Sequence, residues 1–115
     1  MTSDAKRALD TATAIKSRLA INNKDFQICS DIYDTTPESL VGVLKKTPEH
    51  YKNLFLVGHN PELELLGYLL TQQTVGKFPT SAIMHLNLDI SQWTDLEERC
   101  ASLTLFDYPK QHATL

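Results

Sequence analysis

The chain has 115 residues, 42% of them hydrophobic and 22% charged, with a formal net charge of -3. At about 100 to 150 residues per domain this leaves room for one hydrophobic core and not for a second, in a composition that is neither disordered nor fibrous. The 11 basic and 14 acidic residues are scattered without runs of like charge, so there is no electrostatic footprint for a nucleic-acid backbone or a membrane surface, and neither is expected as a partner.

No stretch approaches the ~18 uninterrupted apolar residues of a membrane helix, and Met1 to Asp10 lacks the apolar centre of a signal peptide. A cytoplasmic location is the default expectation. Cys29 and Cys100 have neither CxxC nor zinc-ligand spacing, which predicts two reduced, buried thiols and no metal site.

Ser3 to Ala20 repeats Ala8, Ala12, Ile15 and Leu19 at helical spacing, with Ser3 or Asp4 available as its cap. Phe26 to Cys29 reads as a short strand after the turn Asn22-Asn23-Lys24-Asp25. Thr35-Thr36-Pro37-Glu38 announces the next helix: a threonine hydroxyl to cap, a proline for the first helical position, and an acidic residue for the positive helix start. Leu40, Val43 and Leu44 form its buried face, and Pro48 ends it.

Leu54-Phe55-Leu56-Val57 is an apolar run too short for a helix, as expected of a central strand in a covered parallel sheet. In the following Gly58-His59-Asn60-Pro61-Glu62, Asn60 can cap and Pro61 can take the first position of a helix that buries Leu63, Leu66, Leu69 and Leu70. After Lys77 to Thr80 the period changes to two, with Ala82, Met84, Leu86, Leu88 and Ile90 on one face. Ala101 to Tyr108 alternates similarly through Leu103 and Leu105, with Trp93 in the link placed to close an end of the core. This order predicts an α/β three-layer sandwich, a mainly parallel sheet covered by helices, over residues 1–108, with 109–115 as a tail.

Gly58-His59-Asn60-Pro61 is the sharpest chemical signal. A histidine between a buried strand and a helix lies at the carboxyl edge of the sheet, where open α/β sheets bind ligands. The helix start behind it offers N–H groups and a positive dipole end to an anion such as phosphate, and Gly58 allows close approach. Arg7, in the first turn of the first helix, could grip the same anion bidentately. Glu62 and Glu64 are weaker acid candidates, placed for the helix dipole. His50, His85 and His112 lack metal-ligand spacing, and there is no GxSxG, Walker loop or GxGxxG.

Together these pieces resemble the SixA-type phosphohistidine phosphatase branch of the histidine phosphatase superfamily, which has the phosphoglycerate mutase-like fold. Ser3-Asp4-Ala5-Lys6-Arg7-Ala8-Leu9-Asp10-Thr11-Ala12 is similar to its S-x-A-x-R-A-x-x-T-A segment, and Ile32-Tyr33-Asp34 to its L-Y-D/E segment. Leu56 to Glu64 is similar to V-G-H-N-P-G-L-E, and Phe78-Pro79-Thr80-Ser81-Ala82 with Trp93 to the P-T-x-A strand and the tryptophan after it. The resemblance implies a phosphate pocket in which Arg7 holds the phosphoryl oxygens, His59 donates to the same group, and Gly58 and Asn60 line it. It also implies hydrolysis without cofactor or metal, acting on a phosphorylated protein such as a histidine phosphotransfer domain, or on a small phosphoester. In that family another histidine, in an Arg-His-Gly or Arg-His-Ala motif ending the first strand, attacks phosphorus. No Arg-His pair occurs anywhere in this sequence. The expectation is therefore an N-terminally incomplete domain with little or no turnover by itself, and a marginally stable one, because loss of a central strand bares an apolar sheet edge.

Overall fold

The computed structural model describes residues 1–75, 78–79 and 82–109. Helix α1 is Lys6–Arg18, α2 Pro37–Leu44 and α3 Glu62–Thr71; strand β1 is Ile83–Leu88 and β2 Ala101–Asp107. Short 3-10 turns occupy Asn23–Asp25, Ser30–Ile32 and Trp93–Asp95. Among the described residues no helix is long and apolar enough to cross a membrane.

The helices arise as their sequences direct. In α2 the Thr36 hydroxyl accepts the Ser39 N–H at 3.1 Å, Pro37 fills the first turn, and Leu40 and Leu44 are buried. α3 buries Leu66 and Leu70, and it ends where Gln72 turns left-handed at φ 59°. α1 buries only Ala8 and Ala12; Leu19, expected on the same stripe, lies past the last helical turn and is exposed. The core gathers Ile32, Leu40, Leu44, Leu66, Leu70, Leu96 and Cys100, with Leu54, Leu56, Leu86 and Leu88 packed against it. Ile32, Leu40 and Leu96 are almost wholly removed from water, each contributing about 1.5–3 kcal/mol by burial. Both cysteines are free thiols, Cys100 inside this cluster.

Trp93, expected to close an end of the core, is buried. Its indole Nε1 donates to the Tyr51 carbonyl at 2.9 Å, while its backbone N–H donates to the Glu49 carboxylate at 2.8 Å.

The sheet differs from the expected one. Among the described residues its regular part is antiparallel, β1 against β2, and parallel pairing is reduced to Thr2 bridging Ile28 on one side and Val57 on the other. The reason is local: α1 begins at Lys6, the 3-10 turn at Ser30 follows Ile28 closely, and each neighbour meets the middle segment over only two or three residues. The expected strands Phe26 to Cys29 and Leu54 to Val57 are thus extended segments with single bridges, leaving Ile28 and Phe55 about half exposed.

In the hairpin, Met84, Leu86 and Leu88 face inward and Ile83, His85 and Asn87 outward, as the alternation predicts. β2 keeps this parity only to Leu103. His85 pairs with Leu105 and Leu86 with Leu103, so Thr104 is an extra residue, a bulge that sends Leu105 to the exposed face. Within the segment expected to lead into β1, Thr80 and Ser81 lie outside the described residues, as does the tail beyond Pro109.

Replacing Thr36 with alanine removes the α2 cap while leaving its buried face intact. The expected result is a loss of about 1 kcal/mol of unfolding free energy, read from the urea midpoint at constant m-value; an unchanged midpoint would show that water replaces the cap.

Candidate functional site

Met1 to Ser3 runs between two extended segments whose backbones it satisfies. Thr2 N–H donates to the Gln27 carbonyl at 2.9 Å and Cys29 N–H to the Thr2 carbonyl at 2.8 Å. On the other side Ser3 N–H donates to the Val57 carbonyl and Val57 N–H to the Met1 carbonyl, both at 3.0 Å. Thr2 and Ser3 are fully buried by this arrangement. Because the pairing is parallel, the residues after Ser3 and those after Val57 leave at the same edge, and the start of α1 meets Gly58 and His59 there.

The contact is direct. His59 Nε2 lies 2.8 Å from Ser3 Oγ, and that same oxygen accepts the Ala5 N–H at 3.2 Å. The Tyr33 and His59 rings meet in a T-shaped contact, with centroids 4.9 Å apart at 89°. His59 is half-buried. Among the described residues its other ring nitrogen, Nδ1, has no hydrogen-bond partner.

Ser3 was one of two candidates to cap α1, yet Ala5 occupies the N-cap position and no side chain caps the helix. The helix also has no acidic residue in its first turn, so its positive end is uncompensated from within. Arg7 sits in that turn, exposed and without a hydrogen bond or ion pair among the described residues. Its neighbour Lys6 is engaged with Asp10 at 2.8 Å, an exposed i,i+4 pair of little energetic weight.

Asn60 does not cap α3 as expected. The Asn60 amide donates to the Phe78 carbonyl at 2.6 Å, and Pro61 holds the N-cap position of α3. The polar side chain thereby ties the loop of His59 to residue 78, whose ring stacks on Phe106 of β2 at 5.6 Å. At Gly58 an added Cβ would lie 3.0 Å from Ile32 Cγ2 and 3.4 Å from Leu63 Cδ2. The close approach that requires glycine there is made by the protein's own core.

Glu62 and Glu64 lie in the first turn of α3, half-buried. His85 hydrogen-bonds Thr104 on the exposed face of the hairpin, and His50 lies exposed against Tyr51. His112 is outside the described residues. Among the described residues no three histidine, cysteine or acidic side chains gather as metal ligands would. The partnership of Ser3 with His59 was not anticipated from sequence. The available signal was a serine closing one extended segment and a histidine closing its neighbour, both just before helices.

No protein-family model and no curated protein matches this sequence. Among solved structures, the "Putative Phosphohistidine Phosphatase SixA" from Nakamurella multipartita shares the fold, with a TM-score of 0.64 at 17% identity. The match covers 72% of this chain and 56% of that one, so the chain corresponds to little more than half of the neighbour's length. The chain therefore has a SixA-like α/β fold, in which Ser3, His59 and the start of α1 share one edge.

Gly58→Ala is expected to cost about 1–3 kcal/mol, because Ile32 is β-branched and fully enclosed and cannot yield. Thermal unfolding measures it; a Tm equal to that of the unsubstituted protein would show the cleft around Gly58 to be looser than described.

Proposed function

We propose that Arg7, His59 and the start of α1 form a phosphoryl-anion site of histidine-phosphatase type, whose ligand is phosphohistidine on a protein, such as a histidine phosphotransfer domain, or a small phosphoester. The observation that carries this reading is the Ser3–His59 hydrogen bond, which sets a half-buried histidine at the uncapped start of the helix bearing Arg7. The SixA-like fold supports it.

Each component has a physical role toward a phosphoryl group. The Arg7 guanidinium presents paired N–H donors and a permanent charge to two of its oxygens. First-turn N–H groups of α1 and the positive end of its dipole add further attraction. His59 supplies a donor through Nδ1. Gly58 and Asn60 hold the histidine loop in place, one by close packing and the other through its bond to Phe78.

Turnover by the family's route needs a histidine nucleophile in an Arg-His-Gly or Arg-His-Ala setting, and the sequence has no Arg-His pair. That observation favours a second reading of the same site, binding without hydrolysis. Both readings keep the proposed anion site. The two differ in whether a phosphorylated histidine intermediate forms on this chain.

Inorganic phosphate and vanadate titrated into the protein are expected to bind, and Arg7→Ala to weaken binding about tenfold or more, as loss of a charge-assisted pair does. Phosphate affinity equal in Arg7→Ala, His59→Ala and the unsubstituted chain would overturn the site. Incubation with a phosphohistidine peptide should give no phosphorylated enzyme; a stable phosphohistidine on this chain would restore the hydrolytic reading and rule out binding alone.

A further inference from the structure

The hydrogen bond between Ser3 and His59 can be drawn in two ways for a neutral ring. Either Ser3 Oγ–H donates to a bare Nε2, with the ring proton on Nδ1, or a protonated Nε2 donates to the serine oxygen. Donor and acceptor accounting distinguishes them. Ser3 is completely buried, and its oxygen already accepts the Ala5 N–H at 3.2 Å. In the second arrangement that oxygen would accept twice, and its own proton would have no acceptor among the described residues. A buried donor without a partner is costly, whereas the half-buried ring can leave its Nδ1–H facing solvent or ligand at little cost. The first arrangement satisfies the buried Ser3 hydroxyl as both donor and acceptor.

We infer that Ser3 is a positioning residue that holds neutral His59 in its Nδ1–H form, so that the histidine offers the site a hydrogen-bond donor and not a lone pair. Its functional meaning rests on the anion-site reading above and sharpens it. A ring locked in this form does not take a proton from a ligand through Nδ1, nor ligate a cation there. It selects a ligand rich in acceptor oxygens, which the phosphoryl group is. Tyr33 packs against the imidazole in a T-shaped contact while Ser3 sets the proton.

The direct test is a two-bond proton–nitrogen correlation spectrum of the imidazoles of the full chain, at a pH where His59 is neutral, with and without inorganic phosphate. The expected pattern has a protonated Nδ1 and a bare Nε2, in excess over the other tautomer by at least about fivefold, the factor that an unsatisfied buried donor imposes. A predominantly Nε2–H ring would overturn the inference, whether or not phosphate binds. A protonated Nδ1 that phosphate leaves unperturbed would support the role of Ser3 and overturn the anion site, so the two failures are distinguishable. In Ser3→Ala the ring should relax toward the Nε2–H form, with phosphate affinity falling about fivefold. Unchanged tautomer and affinity in that variant would remove Ser3 from the role, and if the variant does not fold, the spectrum of the unsubstituted chain decides alone.

Discussion

The structure depends on the burial of Thr2 and Ser3 between two extended segments that are far apart in sequence. A fully enclosed backbone must have its N–H and C=O groups paired. Here they are paired on one side by Gln27 and Cys29 and on the other by Val57. This constraint sets three things at once: the level at which α1 begins, the height of Gly58 and His59 beside it, and the reach of Ser3 Oγ to the imidazole. Were the register of the middle segment to slip by one residue, Ser3 would turn to the opposite face and the histidine would lose its partner.

The second half of the molecule is built by different means. Around Leu40, Leu44, Leu66 and Leu70 the two later helices pack on each other, and the inward faces of the hairpin and of Leu54 and Leu56 complete the cluster. Gly67 brings α3 close to β1, since an added Cβ there would overlap the thioether of Met84. Apolar cover is thin elsewhere. Ile28 and Phe55 of the extended segments and Ile83 and Leu105 of the hairpin are each about half exposed or more, and α1 lends only alanines to its own buried stripe. Burial is thus concentrated in that cluster, and the parallel segments are held more by backbone pairing than by apolar cover.

What sequence reasoning could read was governed by short-range chemistry. The cap and proline of α2, the leucine stripe of α3 and the alternation of β1 each depend on neighbours within a few residues, and each formed as expected. What it missed depended on partners elsewhere. Thr104 becomes a bulge because its hydroxyl can reach both the Nδ1 and the carbonyl of His85 across the hairpin. Asn60 gives up the expected cap because the Phe78 carbonyl is within reach. The expected parallel sheet shrank to single bridges because apolar runs specify extended chain but not the length over which two such chains meet. At the candidate site, the positions of Arg7 in the first turn of a helix and of His59 between an extended segment and a helix were legible, whereas the bond through Ser3 required knowing that two segments end side by side.

That bond also bears on how the proposed anion site would discriminate. Arg7 is a permanent cation with no partner among the described residues, and a cation of this kind attracts any anion without regard to shape. The helix start adds attraction of the same sort, set by charge more than by geometry. His59 is different, since its ring is bonded to a buried hydroxyl and packed against Tyr33, and in the inferred tautomer it offers a donor in a fixed direction. A preset donor loses less conformational entropy when it binds than a free side chain does, and it rewards only a ligand whose acceptor lies where the donor points. On the proposed reading, charge at the start of α1 gathers anions, and the geometry imposed by the burial of Ser3 sorts among them.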